Sequence, residues 1–415
     1  MSAIIFKNGS LLDPNQPELL EGYSVLVENG RIKEVSDKEI KSDTARVIDV
    51  KGKTIMPGLI DLHGHVMATQ LNLSTQGVLP DALVMLRAVP IMKAMLRRGF
   101  TTLRDAGGAG WGLKCAVEEK TAIGPRLFIA GRALSQTGGH GDPRPRSDYL
   151  RPMSFCGCCF RAGDIGRVVD GVDNLRRAVR EEFQMGADQI KIMASGGVAS
   201  PTDPIAAFGY SEDEIKAIVE EARGRQSYVM AHSYTAEAIE RAVKMGVRTI
   251  EHGNLIDARV AAIMAEKGAY VVPTLVTYEA LANEGASYGL PPDSVDKIGT
   301  VRTAGLESLE IFKKAGVKMG FGTDLLGPSQ RLQSDEFRIR AQVLSNFEVI
   351  QSATLIGAEV LNKQGELGEI REGAIADVLI VDGNPYKDIN CLLGQGDHIP
   401  LVMKGGDIYF DELTT

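Results

Sequence analysis

Between about residues 57 and 360, short apolar runs alternate with amphipathic stretches of helical period, and nothing else in the chain restricts its fold as much. The runs are IMPGLIDLH, FTTLRDAG, RLFIAG, ADQIKIMASG, SYVMAHS, RTIEHG, AYVVPTLV and VKMGFGTD. Helical stretches between them include LVMLRAVPIMKAMLRRG, VDNLRRAVREEFQMG, SEDEIKAIVEEARGR and TAEAIERAVKMG. Eight strand-then-helix units predict an α/β fold, a (β/α)8 TIM barrel whose parallel strands are bridged by helices. Ser211 followed by Glu214 reads as a capping box that starts a helix. Gly99, Gly186, Gly246 and Gly316 stand where helices should stop.

The two ends have a different texture. AIIFKNGSLL, YSVLVENGRIKEV and ARVIDVKGKTI alternate apolar and polar residues, and Asn8-Gly9 and Asn29-Gly30 read as hairpin turns. ADVLIVDGNP and IPLVMKGGDIYF repeat that pattern near the C-terminus. The economical arrangement is a small β-sandwich formed by residues 1–56 and 361–415, with the barrel of residues 57–360 inserted in it.

Composition excludes several classes. The 415 residues carry a net charge of -8, which argues against a general nucleic-acid binder. No stretch approaches the roughly 20 apolar residues of a bilayer span, so no membrane association is expected. MSAIIFKNGS lacks a cationic segment followed by an apolar one, so the expected location is the cytoplasm. Five cysteines imply no disulfide framework. Cys156, Cys158 and Cys159 cluster in SFCGCCFRAG without the second pair a zinc ribbon needs, and they read as small packing residues of a loop. That loop, about 135–165, should follow the third strand and lie over the active-site face.

Six histidines occur, and five fall at or just after strand ends, which a barrel gathers on one face. His63 and His65 form His-Gly-His; residues two apart on a strand point the same way, so both imidazoles can hold one cation. Lys191 ends an apolar strand. It is either a barrel lysine paired with a carboxylate or an amine that has reacted with CO2, giving a carbamate able to bridge two cations. His232 and His252 end the next two strands and Asp324 ends the last. Singly, each fits a buried histidine or a helix cap; jointly, the six make a convergent donor set suited to zinc and similar first-row ions. His140, in TGGHGD, lies on the loop after the third strand. Arg331 lies beyond Asp324 and is a candidate for a substrate carboxylate. Arg104-Asp105 reads as an internal ion pair, and Tyr228 and His398 as structural.

IMPGLIDLHGH, KIMASGG, AHSYT, EHGN and GFGTD resemble the metal-site segments of the amidohydrolase superfamily, in its binuclear branch with a carboxylated lysine. The resemblance spans nearly the whole chain. RGFTTLRDAGG, ALSQTGGHGDPR and CGCC are similar to segments of bacterial metal-dependent prolidases, which are Xaa-Pro dipeptidases. The resemblance implies two divalent cations, zinc by default, with His63, His65 and Asp324 on one, His232 and His252 on the other, and carboxylated Lys191 bridging them. It further implies attack on an amide carbonyl by a metal-bridging hydroxide, with Asp324 as general base and then acid. His140 and Tyr234 become contacts to a small-molecule or dipeptide substrate. A homo-oligomer is expected. Alternatives within this chemistry are an Xaa-Arg or Xaa-Lys dipeptidase or carboxypeptidase, and an N-acyl-amino-acid amidohydrolase including ochratoxin-type aryl amides. A mononuclear deaminase and a non-catalytic scaffold are further rivals.

Overall fold

A computed structural model describes residues 3–77, 79–142, 144, 164–198, 203–288 and 292–413. The Cys156, Cys158 and Cys159 cluster lies outside the described residues. The first strands are β1 (Ile4–Leu12), β2 (Leu19–Glu28), β3 (Arg31–Ser36), β4 (Arg46–Asp49) and β5 (Thr54–Pro57). Next come β6 (Leu59–Gly64), β7 (Phe100–Asp105), β8 (Arg126–Ile129), β9 (Ala133–Ser135), β10 (Gly166–Val168), β11 (Ile190–Met193), β12 (Val229–Thr235), β13 (Thr249–Leu255) and β14 (Tyr270–Val272). The last are β15 (Val378–Val381), β16 (Leu401–Lys404) and β17 (Asp407–Asp411).

Strands from both ends of the chain share one eight-stranded sheet, in the order β17-β16-β15-β5-β1-β2-β3 with β4 also pairing β1. β5 is the seam, parallel to β1 on one side and antiparallel to β15 on the other. Alternating side chains of these strands, among them Phe6, Val25, Ile55, Val378, Ile380 and Leu401, form a separate apolar core. Asn29 and Gly30 both take positive φ and join β2 to β3 as expected of a two-residue hairpin. Asn8-Gly9 does not turn the chain. It is an irregularity inside β1, where the register shifts between Phe6 and Ser10.

The middle of the chain is mixed α/β. Two sheets, both parallel, carry it: β6-β7-β8, and β10-β9-β11-β12-β13-β14. Helices separate most of the successive strands and bury their apolar faces against the larger core. The Ser211 capping box is formed, and Gly99, Gly186, Gly246 and Gly316 all adopt positive φ at helix ends. IMPGLIDLH divides, its first half entering the terminal sheet as β5 and its second half becoming β6. VKMGFGTD forms only a bridge from Met319 to Val271. Its backbone nevertheless bonds on both sides: Gly320 N donates to Val271 O at 2.8 Å and Leu62 N donates to Phe321 O at 2.8 Å. Among the described residues, no helix is long and apolar enough to cross a membrane.

Candidate metal centre

β6 presents His63, and His65 follows one residue beyond its end. The period of two puts both rings on one side. Gly64 between them allows close packing, because a Cβ there would meet Leu103 Cδ1 at 2.7 Å. His63 Nδ1 lies 2.7 Å from Glu251 Oε2 and His65 Nδ1 lies 2.8 Å from the Gly107 carbonyl. Both partners only accept, so each Nδ1 carries the proton and each Nε2 keeps its lone pair. Those Nε2 atoms stand 3.4 and 3.2 Å from Asp324 Oδ1. Ligand atoms of His63, His65 and Asp324 all lie within 4.8 Å of one another.

Asp324 reaches this point from a left-handed backbone, φ 52°, with its N–H donating to the His63 carbonyl at 2.7 Å. Lys191, buried on β11, places Nζ 3.4 Å from His63 Nε2. β12 and β13 carry His232 and His252, whose ring centroids are 4.6 Å apart. The His252 and His63 rings are 5.1 Å apart. His252 also has a positive φ, 77°, a left-handed conformation uncommon for non-glycine residues. Its Nδ1 meets Thr274 Oγ1 at 2.8 Å. His232 differs: its Nε2 faces the Gly196 carbonyl at 3.2 Å, which leaves Nδ1 as the nitrogen with a free lone pair.

The lowered pKa values of His63, His232 and His252 suit cation binding. Burial, then the neighbouring Lys191, holds His63 well below the ordinary histidine range, and burial, then His140, does the same for His232. Burial lowers His252 to about 4. Burial pulls His65 the same way, but the Asp324 hydrogen bond and charge outweigh it and the net shift is upward. Burial opposes ionisation of Asp324, yet His63, His65 and His252 together hold its carboxyl below the usual range. Burial brings the Lys191 amine down to about 8. Imidazoles with lone pairs aimed inward beside an ionised carboxylate are the donors a divalent first-row cation takes. Of the six expected ligands, His63, His65 and Asp324 form the compact trio, and Lys191, His232 and His252 adjoin it.

His140 stacks on His232, centroids 4.4 Å apart and 16° from parallel, and its ring lies close to Gly197, where a Cβ would come within 2.5 Å of it. Its Nδ1 is 3.4 Å from Asp203 Oδ2. Tyr234 stacks on His252 at 5.2 Å, and its hydroxyl accepts from Tyr278 at 3.0 Å. Arg331 instead ion-pairs with Glu284 and donates to the Pro328 carbonyl, with 49% of its side chain exposed. The expected Arg104–Asp105 pair is not formed, since neighbours on a strand point to opposite sides. Arg104 pairs with Glu251, while Asp105 accepts the backbone N–H groups of Val66, Gly107 and Ala109. Sequence reasoning missed Glu251, Thr274, Asp203 and Tyr278. Glu251 alone left a trace, as an acid inside the apolar run RTIEHG opposite an Arg inside FTTLRD.

The fold has counterparts of known structure. An amidohydrolase is 69% identical, covers 99% of this chain and 100% of its own, and superposes with a TM-score of 0.98. A prolidase crystallised with N-methylphosphonate-L-proline is 56% identical over 99% of this chain and 100% of its own, with a TM-score of 0.96. The ochratoxinase of Aspergillus niger is 32% identical over 86% of this chain and 75% of its own length. The amidohydrolase family model matches residues 54–408, and the chain belongs to that family.

Proposed function

We propose that this protein is a binuclear metal-dependent amidohydrolase that cleaves dipeptides, with Xaa-Pro as the preferred class. The observation that carries the reading is the trio of His63, His65 and Asp324, whose ligand atoms lie within 4.8 Å of one another, with the Lys191 amine 3.4 Å from His63 Nε2 and the His252 and His232 rings adjoining. We read the two parallel sheets as one closed (β/α)8 barrel, supported by the hydrogen bonds through which residues 318–321 link β14 to β6. Residues 57–360 are its domain and residues 1–56 with 361–415 the β-sandwich domain. We keep the cytoplasm and a homo-oligomer as expectations.

In this reading His63, His65 and Asp324 would hold one cation, His232 and His252 would hold the other, and Lys191 would serve both. Bound there, the cations supply Lewis acidity and lower the pKa of water. The Lys191 amine, which burial keeps easy to deprotonate, is the form that adds CO2 to give an anionic carbamate. Asp324 takes the proton of the attacking water and delivers it to the departing nitrogen, since a proline nitrogen leaves poorly as an anion. His140 and Tyr234, each stacked on a ligand imidazole, contact the substrate. Arg331 serves the substrate carboxylate only after leaving Glu284, and ranks behind them.

Likeness to a prolidase with a bound proline phosphonate supports the Xaa-Pro choice. Likeness to ochratoxinase supports a second reading, an N-acyl-aromatic-amino-acid substrate on the same centre. Zinc-loaded protein assayed against Xaa-Pro, Xaa-Arg and N-acyl-phenylalanine decides between them. The first reading expects the highest kcat/KM on Xaa-Pro; background rates there with turnover of N-acyl-phenylalanine would replace it with the second.

A further inference from the structure

Glu251 precedes His252 on β13 and is fully buried. Its Oε2 accepts the His63 Nδ1 proton at 2.7 Å. Arg104, on β7 and equally buried, donates from Nη2 to both carboxylate oxygens at 2.9 and 3.0 Å. Thr249 Oγ1 donates to Oε1 at 2.6 Å. The guanidinium is anchored in turn, with Nε donating to the Leu62 carbonyl at 2.6 Å and Nη1 to Thr249 Oγ1 at 3.1 Å. Every lone-pair direction of the carboxylate facing protein is thereby used, and its position is fixed from β6, β7 and β13 at once.

Among the described residues, no other imidazole of the centre is backed by a carboxylate on its outward nitrogen. His65 is backed by a carbonyl, His252 by a hydroxyl, and His232 by a carbonyl on its opposite nitrogen. An ionised acceptor makes a hydrogen bond roughly twice as strong as a neutral one. A carboxylate behind a ligating imidazole also fixes its tautomer and raises its donor strength. We propose that Glu251 is a positioning residue for the cation bound by His63, with Arg104 as the clamp that holds its carboxylate against that ring. The proposal rests on the reading of His63 as a metal ligand. The competing explanation is that Glu251 does no more than neutralise the buried Arg104 charge.

Substitutions separate the two. Glu251→Asp keeps the charge that Arg104 needs but draws the carboxylate back one methylene from His63. Glu251→Gln presents its NH2 to a donor whichever way the amide turns, either to Arg104 or to His63. The double variant R104M/E251L removes both buried charges and leaves His63 Nδ1 without its acceptor. Zinc dissociation constants are measured by chelator competition on each folded protein, with circular dichroism to verify folding and His63→Ala as reference. Expected is a loss of about 10- to 100-fold in affinity for one zinc equivalent in E251D, E251Q and R104M/E251L, with the second equivalent little changed. Wild-type affinity in E251D or in R104M/E251L overturns the proposal in favour of simple neutralisation. If the double variant does not fold, E251D decides. If the wild-type protein binds no zinc, or His63→Ala binds it unchanged, the reading of the metal centre fails instead.

Discussion

Lys191 and Lys404 are both buried lysines whose amines burial brings down to about 8, yet they sit in different chemistry. Lys404, on β16 of the terminal sheet, donates to the Gly124 carbonyl at 2.6 Å and lies 5.0 Å from the Tyr409 ring centre. Arg126 crosses from the parallel β8 to Asp377 beside it. Its surroundings consist of partners that satisfy one another, and they join two sheets. Lys191 faces His63 at 3.4 Å, and among the described residues it forms no ion pair. The lesson is that a depressed lysine pKa marks burial; only convergence of unspent donors marks a reactive site.

That contrast can be broken in graded ways. The largest effect is expected from Lys191→Ala, with kcat/KM falling on the order of 1,000-fold, about 4 kcal/mol of barrier, while Lys404→Met stays within about twofold. Steady-state assays check both, and an active K191A protein would remove the case for a bridging carbamate. Removing metal with a strong chelator is expected to abolish activity and zinc to restore it, measured by the same assay with metal analysis.

Next is a pH effect of Lys404, isolated by comparing wild type with Lys404→Met. Its folded pKa lies below the unfolded value, so between about pH 8 and 10.5 the unfolded chain holds more protons. Stability therefore rises with pH through that window, and this contribution is lost as pH falls to 8. Wild type is expected to gain up to about 3 kcal/mol relative to K404M across the window. Denaturant titrations at several pH values test it, and parallel curves would show that Lys404 titrates normally. The smallest effect is assigned to Tyr278→Phe, which removes the donor to Tyr234 and should raise KM about 5- to 10-fold with little change in kcat. A kcat loss with constant KM would move Tyr234 from substrate holding to the reacting atoms.

Legibility in the sequence followed local periodicity. The Ser211 cap and the Asn29-Gly30 hairpin depend on neighbours a few residues away and formed as read, and so did the strand-and-helix alternation for most of its runs. Asn8-Gly9 misled because the same dipeptide fits a bulge when the strand continues beyond it. VKMGFGTD pairs less regularly than its apolar pattern suggested, since Gly320 and Gly322 lie where a Cβ would come within 2.4 Å of Leu62 and Val272. Arg104 was misassigned because adjacency in sequence is opposition on a strand.

The residue types of the candidate metal centre and their places near strand ends came from the sequence alone, because a period of two and a strand terminus are local properties. Tertiary structure decided what stands behind each ring. His63 and Glu251 are 188 residues apart and meet only when β6 and β13 face each other across the interior. Left-handed turns at His252 and Asp324 aim their side chains inward, and no pattern of residue types announced them. Which nitrogen of each imidazole is free follows from those long-range partners, so the donor set was readable in one dimension and its orientation only in three.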